Sequence, residues 1–313
     1  MSETIVVIGN PSEDMVSDIH DELKRRGRAV ELVQTQDLPG TVRFGLSLGS
    51  AIDGFFALPD GRRLAFESVK SIYQRAGFDA GETIEDYTRE EADYASNATL
   101  SAFTVVLNTI DAMVVNRPVY SGSNASKPYQ IGLVEQHGFS VPRTLVTNQP
   151  DAAREFYETH GGNVIYKSIS YVRSIVKRMN EEDLDRLDTL ERCPVQLQEC
   201  VDGRDIRVHV VGPDQLFAHF IVADESDYRY DKQAQIRAHT LPEPVRRQCF
   251  ALARALGFVL AGIDLRVTPK GRYYCFEVNP SPAFSWYEVR TKQPITATLC
   301  DVLENAHALK PWS

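Results

Sequence analysis

Two neighbouring segments near the end of the sequence carry oxygen-bearing side chains at alternate positions. The segments 263–267 and 275–279 each alternate apolar with polar residues, and the short turn between them predicts a hairpin that brings Asp264, Glu277 and Asn279 together. Two carboxylates and an amide oxygen suit Mg²⁺, which prefers oxygen ligands and usually keeps substrate phosphates in its shell. We therefore predict a metal site here. Carboxylate acid/base catalysis and ordinary solvated strand positions are the alternatives.

A second alternating strand, over 196–201, breaks at a turn and resumes with Asp205 and Arg207. The end of such a strand can present backbone donors and acceptors to the edge of an adenine ring. Asp205 is then placed to reach a ribose hydroxyl. Arg207 lies two residues further on and hence on the same face, where its planar fork of donors suits a phosphate or a developing carboxylate charge.

Two lysines are candidates for binding an anion. Lys167 ends an apolar strand and enters a hydroxyl-rich turn, and Lys127 stands in a serine-containing segment just before Pro128. A lysine on the buried side of a strand needs a counter-charge. Taken alone, either lysine would be interpreted as a surface residue.

The first elements that must support these groups form a strand–helix–strand unit. A strand at 5–8, a helix over about 14–26 and a strand at 29–33 predict a βαβ unit of the doubly wound kind. The loop after the first strand lacks the pattern Gly-x-Gly-x-x-Gly, so we interpret this unit as a scaffold lobe rather than a dinucleotide site.

Turn signals and hydrophobic periodicity predict the remaining elements, and they make the C-terminal half α+β. They are a hairpin over 43–64, a strand at 68–73, a packing helix over 88–110, a linker over 116–127 that ends in a helix containing 130–137, a strand at 143–147, a helix over 150–159, a strand at 163–167, an acidic segment over 181–191, strands at 195–199, 206–211 and 216–222, a helix over 242–256, and strands at 261–268 and 272–278.

The bulk properties exclude several classes of protein. A chain of 313 residues is expected to fold as two or three packed subdomains, and 43% hydrophobic and 25% charged residues without a long apolar run argue against disorder and membrane insertion. Five scattered cysteines and a start without secretory features predict a cytoplasmic protein. A net charge of −9 argues against nucleic acid as a partner, although an ATP site needs only a few local cations. A homodimer is the base-rate expectation.

The order of these features resembles the ATP-grasp superfamily in its RimK-like branch. More closely, the chain resembles the microviridin-type (graspetide) ligases, which modify ribosomally made precursor peptides, and this resemblance runs almost end to end. It includes the N-terminal hairpin lobe and the segments 193–194 and 227–231. One departure is that the segment 168–174, after the second lysine, contains no glycine, where many ATP-grasp enzymes carry a glycine-rich phosphate loop.

The resemblance implies a fold that combines α/β and α+β parts. It implies an N-terminal Rossmann-like pre-ATP-grasp domain over 1–118, a central ATP-grasp subdomain over 119–198 and a C-terminal subdomain over 199–313 that carries the metal site. It also implies a role for each candidate residue: ATP-phosphate contacts for Lys127, Lys167 and Ser168, adenine contacts for Gln198, Glu199, Cys200 and Val201, a ribose contact for Asp205, two Mg²⁺ ions held by Asp264, Glu277 and Asn279, and contacts to the γ-phosphate and the acyl-phosphate oxygens for Arg207 and Arg229.

The implied chemistry is phosphorylation of a carboxylate by ATP, followed by attack of an amine or hydroxyl on the acyl phosphate. The implied substrate is a carboxylate-bearing precursor peptide with a leader segment. Positioning and charge neutralisation drive such a reaction, so His209 and His219 are interpreted as strand residues. A RimK-like or small-molecule amino-acid ligase and a non-catalytic nucleotide-binding partner protein are the alternatives.

The acidic segment 181–188 resembles the region that helps to dock a helical leader in the peptide ligases. The alternative is the solvated face of a helix that buries Leu184 and Leu187.

Overall fold

A computed structural model describes residues 3–35, 43–49, 52–58, 60–75, 87–125, 127–167, 169, 176–222 and 235–306. The strands are β1 Thr4–Gly9, β2 Val30–Gln34, β3 Arg43–Leu48, β4 Ile52–Ala57, β5 Arg63–Ala65, β6 Val69–Gln74, β7 Met113–Val115, β8 Thr144–Thr147, β9 Val164–Lys167, β10 Val176–Arg178, β11 Val195–Glu199, β12 Arg204–Val211, β13 Gln215–Val222, β14 Gln235–His239, β15 Leu260–Val267 and β16 Tyr273–Asn279. The α-helices are α1 Asp14–Arg25, α2 Arg89–Thr109, α3 Pro118–Ala125, α4 Lys127–Gln136, α5 Pro150–Thr159, α6 Glu181–Leu184, α7 Glu243–Ala255, α8 Ser285–Thr291 and α9 Ile295–Glu304.

The N-terminal lobe is built on a parallel sheet with the strand order β2-β1-β6-β7. Every residue of β1 is buried, as expected for a parallel strand covered on both faces. On one face Ile5 and Val7 pack against α1 and the C-terminal helix α9, and on the other face Val6 and Ile8 pack against α2. The predicted βαβ unit is therefore confirmed, and helix α9 closes the lobe from the far end of the chain.

The predicted hairpin over 43–64 is confirmed as part of a small antiparallel sheet with the order β3-β4-β5. Its aromatic side chains attach it to the lobe, because the ring of Phe56 lies 4.9 Å from that of Phe66 and 6.0 Å from that of Phe103. The insertion thus shares the core of the lobe.

The predicted linker over 116–127 was wrong, because most of this stretch is helix α3. The helix begins at Pro118, a position where the missing N–H is not needed and the fixed φ angle suits a helix. The amide of Val119 is satisfied by the side chain of Asn108, at 2.9 Å. A side chain of α2 thus supports the first turn of α3, although serine and glycine have low helix propensity.

The other two sheets are antiparallel, with the orders β10-β9-β11-β8 and β14-β13-β12-β15-β16. The first, which we call the central sheet, packs one face on α5 and on a 3-10 turn at Leu187–Arg192. The second, the C-terminal sheet, packs one face on α4 and α7. The other face of the C-terminal sheet is covered in part by α8 and α9, where Ile221 and Ile236 pack against Tyr287. It also carries the polar side chains described below. In the described part of the chain, no helix is long and apolar enough to cross a membrane.

Candidate active site

The polar face of the C-terminal sheet gathers the residues predicted to bind metal and phosphate. The hairpin β15–β16 forms as predicted, with Asp264 opposite Glu277 and Gly262 opposite Asn279. On the other side of β15, Arg207 of β12 lies opposite Asp264. Because directly opposed residues point to the same side of a sheet, these side chains share one surface.

Arg207 and Asp264 form an ion pair in the middle of this surface. The distance from Nη1 to Oδ1 is 2.7 Å, and the arginine side chain is only 7% exposed, against 36% for the aspartate. The guanidinium reaches this place over Gly262, where a methyl group would lie 2.3 Å from Arg207 Nη2. The sequence analysis did not single out Gly262. A glycine inside a strand often marks the close approach of another group, and this signal could have identified it.

The oxygen atoms around this pair fit a magnesium ion. Asn279 Oδ1 already accepts a hydrogen bond from the Ser281 amide, at 2.8 Å, so its orientation is determined. Among the described residues there is no cluster of three or more His, Cys, Asp and Glu side chains that could hold a metal. Two carboxylates and one amide are oxygen ligands of the kind that Mg²⁺ prefers, and Mg²⁺ usually completes its shell with water and phosphate oxygens.

Two histidines lie next to Arg207 on the same face of the sheet, His209 two residues further along β12 and His219 opposite Arg207 on β13. The rings of His209 and His219 are 5.1 Å apart, and each lies about 5 Å from Tyr287, at 5.0 and 4.9 Å. Burial, reinforced by the positive charge of Arg207, lowers the pKa of His209 well below its ordinary value and that of His219 to about 4. Both rings are thus neutral at neutral pH and add no repulsion to Arg207.

Lys167 lies on the polar face of the central sheet. It is 9% exposed, and its Nζ donates to Gln198 Oε1 at 3.4 Å, while Gln198 Nε2 donates to Thr144 Oγ1 at 3.0 Å. Gln198 therefore orients the ammonium group. Lys127 is the first residue of α4. The same helix is attached to β16 by Gln130, whose Nε2 donates to the Val278 carbonyl at 2.8 Å and whose Oε1 accepts from the Val278 amide at 2.9 Å.

The strand end at Glu199 is the segment predicted to contact adenine. The amides of Glu199 and Cys200 donate to Arg143 and Asn163, at 2.9 and 2.8 Å. These bonds fix the backbone at the end of β11, next to the groups at 199–201 that are predicted to face adenine.

Asp205 is already held by Arg266. The two side chains form a bidentate pair at 2.7 and 2.9 Å, and Arg266 also donates to the Val201 carbonyl at 2.9 Å. The carboxylate is therefore fixed next to the predicted adenine strand, and its assignment to ribose stays a prediction. The predicted contacts Ser168 and Arg229 lie outside the described residues.

The acidic segment is partly structural. Asp183 is buried and caps α6 together with Asn180, and its carboxylate accepts from Arg186 at 2.8 Å and from Tyr166 at 3.3 Å. Leu187 is buried in the core beside the central sheet and Leu184 packs against it, as the alternative of a solvated helix face expects. Asp183 is thus committed to internal contacts, whereas Asp185 is not part of this network.

Comparison with known proteins identifies the class. A family model described as RimK-like ATP-grasp domain matches residues 125–303, which is more than half of the chain. The chain belongs to this family and is an ATP-grasp ligase, and ATP and Mg²⁺ are the cofactors of such enzymes. The family and fold class predicted from the sequence are confirmed.

Solved structures and curated relatives extend this result. The ATP-grasp ligase PsnB, solved with a phosphomimetic variant of its minimal precursor, Mg and ADP, is 29% identical, with 98% of this chain and 99% of that chain covered and a TM-score of 0.81. The macrocyclase MdnC of Microcystis aeruginosa, bound to precursor peptide MdnA, is 22% identical, with 96% and 99% covered and a TM-score of 0.85, which shows a shared fold. A probable alpha-L-glutamate ligase of Pseudoalteromonas translucida is 25% identical over 209 residues, 63% of this chain and 68% of that protein.

Proposed function

We propose that this ligase modifies a ribosomally made precursor peptide by forming amide or ester bonds between its side chains. The observation that carries this proposal is the extent of the likeness to PsnB, a ligase solved with a precursor, which spans 98% of this chain and so includes the N-terminal lobe. The likeness to PsnB holds at 29% sequence identity over that span, whereas the sequence match to the glutamate ligase is 25% identical over 209 residues.

The proposed reaction has two steps. A carboxylate oxygen of the peptide attacks the γ-phosphorus of ATP, the bond to the bridging oxygen breaks, and ADP leaves. An amine or hydroxyl of the peptide then attacks the carbonyl carbon of the acyl phosphate, loses its proton and expels inorganic phosphate. Each bond formed therefore removes one water from the peptide in total, and no protein nucleophile is needed.

The proposed roles are those that the resemblance implies, and the contacts of Arg207 and Lys167 support two of them. Bound Mg²⁺ would neutralise charge on the phosphates. The residues proposed to act are Lys127, Lys167 and Ser168 toward the phosphates, Gln198, Glu199, Cys200 and Val201 toward adenine, Asp205 toward ribose, Asp264, Glu277 and Asn279 toward Mg²⁺, and Arg207 and Arg229 toward the transferred phosphoryl group. Arg207 is suited to this role because it is nearly buried yet anchored at 2.7 Å to a predicted metal ligand, so its charge is preorganised.

The domain limits, the leader segment, the assembly and the compartment belong to the same proposal. We place the domains at 1–118, 119–198 and 199–313, and we propose a leader-bearing peptide, a homodimer and activity in the cytoplasm. The five cysteines are free thiols, which suits a reducing compartment.

A glutamate ligase is the second candidate, because several curated relatives carry that name. The test compares ADP release with free glutamate and with the peptide encoded by the short reading frame nearest to the gene of this protein. We expect ADP release with the peptide and loss of one water per bond by mass spectrometry. ADP release with glutamate alone would overturn the proposal in favour of the second candidate.

A matched pair of arginine variants tests whether the site performs the chemistry. Arg207→Met removes the anchored guanidinium, whereas Arg237→Met removes an exposed arginine of β14 that donates to Gln235. We expect the first variant alone to lose dehydrated product. Equal activity of both variants would contradict the assignment of Arg207.

A further inference from the structure

The turn that follows the predicted metal strand β16 is held by a side chain from the N-terminal sheet. Arg75 comes directly after β6, and its Nη1 donates to the carbonyl and hydroxyl oxygens of Ser281, at 3.2 and 3.4 Å, and to the carbonyl of Pro282, at 3.4 Å. Its Nε donates to Glu13, at the start of α1. Arg75 therefore bridges the N-terminal lobe and the turn.

A second side chain of the N-terminal lobe, that of Asn116, forms hydrogen bonds to the same turn. Asn116 is 2% exposed, and its Nδ2 donates to the carbonyls of Pro280, at 2.5 Å, and Leu260, at 2.6 Å. Its Oδ1 accepts from the Val259 amide at 2.7 Å. Asn116 thus joins the start of β15 to the residue after β16, while Arg75 holds the next two residues, Ser281 and Pro282.

This turn also orients Asn279, a predicted metal ligand. The Ser281 amide donates to Asn279 Oδ1 at 2.8 Å, so displacement of Ser281 would rotate or release that oxygen. An unbroken series of hydrogen bonds therefore runs from Glu13 through Arg75 and Ser281 to Asn279. The planar guanidinium directs Nε toward Glu13 and Nη1 toward the turn, a fixed arrangement of donors that the compact ammonium group of a lysine does not reproduce.

We propose that Arg75 is a positioning residue for the Mg²⁺ end of the active site. Anchored by Glu13, it holds Ser281 so that the Asn279 amide oxygen faces the metal. The inference rests on the proposed function, specifically on Asn279 as a metal ligand. It gives the N-terminal lobe a part in metal binding in addition to any part in binding the peptide.

The test measures ADP binding by calorimetry, once with Mg²⁺ and once with EDTA, so that no turnover is involved. In the wild-type protein Mg²⁺ should tighten ADP binding. We call the ratio of the ADP affinity with Mg²⁺ to that with EDTA the Mg²⁺-dependent gain. In Arg75→Met and Arg75→Lys this gain should fall by about tenfold, the usual effect of losing a group that orients a metal ligand. Affinity for ADP in EDTA should not change, which a general folding defect would not reproduce.

Two further variants keep the result interpretable. Arg62→Met is the matched control, because Arg62 lies in the same lobe and pairs with Glu31, at 2.7 Å, and with Asp60, but does not touch the turn. Glu13→Gln leaves Arg75 in place but weakens its anchor, and it should reduce the Mg²⁺-dependent gain to a smaller extent. Thermal melting of every variant verifies that it is folded.

The possible outcomes separate the inference from the function on which it rests. Glu277→Gln should remove the Mg²⁺-dependent gain, and if it does not, the proposed metal site itself is refuted. If Glu277→Gln removes the gain but Arg75→Met and Glu13→Gln retain it, only the role of Arg75 is overturned. If Arg62→Met loses as much as Arg75→Met, the effect belongs to the lobe as a whole, and the inference also fails.

Discussion

The substitution Gly262→Ala should displace the guanidinium of Arg207 without replacing any residue that is predicted to bind ATP or Mg²⁺. The added methyl group would lie 2.3 Å from Arg207 Nη2, 2.7 Å from Arg207 Cζ and 2.5 Å from the Cβ atom of Pro282. Non-bonded carbon atoms pack at about 3.5–4.0 Å, so the guanidinium must retreat by roughly 1 Å. The 2.7 Å contact to Asp264 would then stretch or rearrange.

The magnitude follows from this displacement. A misplacement of about 1 Å in a positioned catalytic group costs about 100-fold in rate, so kcat should fall by about that factor. Overpacking should also lower the free energy of unfolding by about 1–3 kcal/mol, which leaves a protein of ordinary stability folded at 25 °C. The loss of kcat should thus exceed anything that partial unfolding explains.

The assay is ADP release at saturating ATP and peptide, with urea unfolding measured in parallel. Gly132→Ala is the matched control, because a methyl group at that position of α4 would meet no atom within 4 Å. It should retain full kcat. Wild-type kcat in Gly262→Ala would refute the claim that Arg207 must lie over position 262, and a loss proportional to the unfolded fraction would refute its catalytic interpretation.

Two further predictions concern buried polar groups. Lys167→Met should raise KM for ATP by about tenfold or more, since a charged hydrogen bond is worth about 1.5–3 kcal/mol, and an unchanged KM in an ADP-release assay would contradict its phosphate role. His219 has its folded pKa lowered to about 4 by burial and by Arg207, whereas the unfolded value is about 6.5, so its stabilising contribution is complete above pH 6.5 and is lost as the pH falls toward 4. The free energy of unfolding, measured with urea at pH 7 and at pH 4.5, should therefore fall between these pH values by about 2 kcal/mol less in His219→Gln than in the wild type. An equal fall in both proteins would disprove the lowered pKa.

The sequence by itself determined the parts of this protein that depend on local periodicity. Alternation over 263–267 and 275–279 placed Asp264, Glu277 and Asn279 on one surface, because the side-chain period of a strand is two whatever surrounds it. The βαβ start and the helix Pro150–Thr159 were equally readable, since both carry a clear period and clear end signals. The order of these motifs was also sufficient to predict the family, which the match over 125–303 confirms.

Only the tertiary structure decided how distant segments meet around those motifs. The place of Arg207 over Gly262, the pairing of Asp205 with Arg266, and the hold of Arg75 on Ser281 each join residues more than 50 positions apart. The helix over 118–125 was missed for a related reason, because the amide of Val119 in its first turn is satisfied by the Asn108 side chain of another helix. Periodicity reports which face of an element is apolar, but close contacts depend on which other elements cover that face, and no local pattern records this.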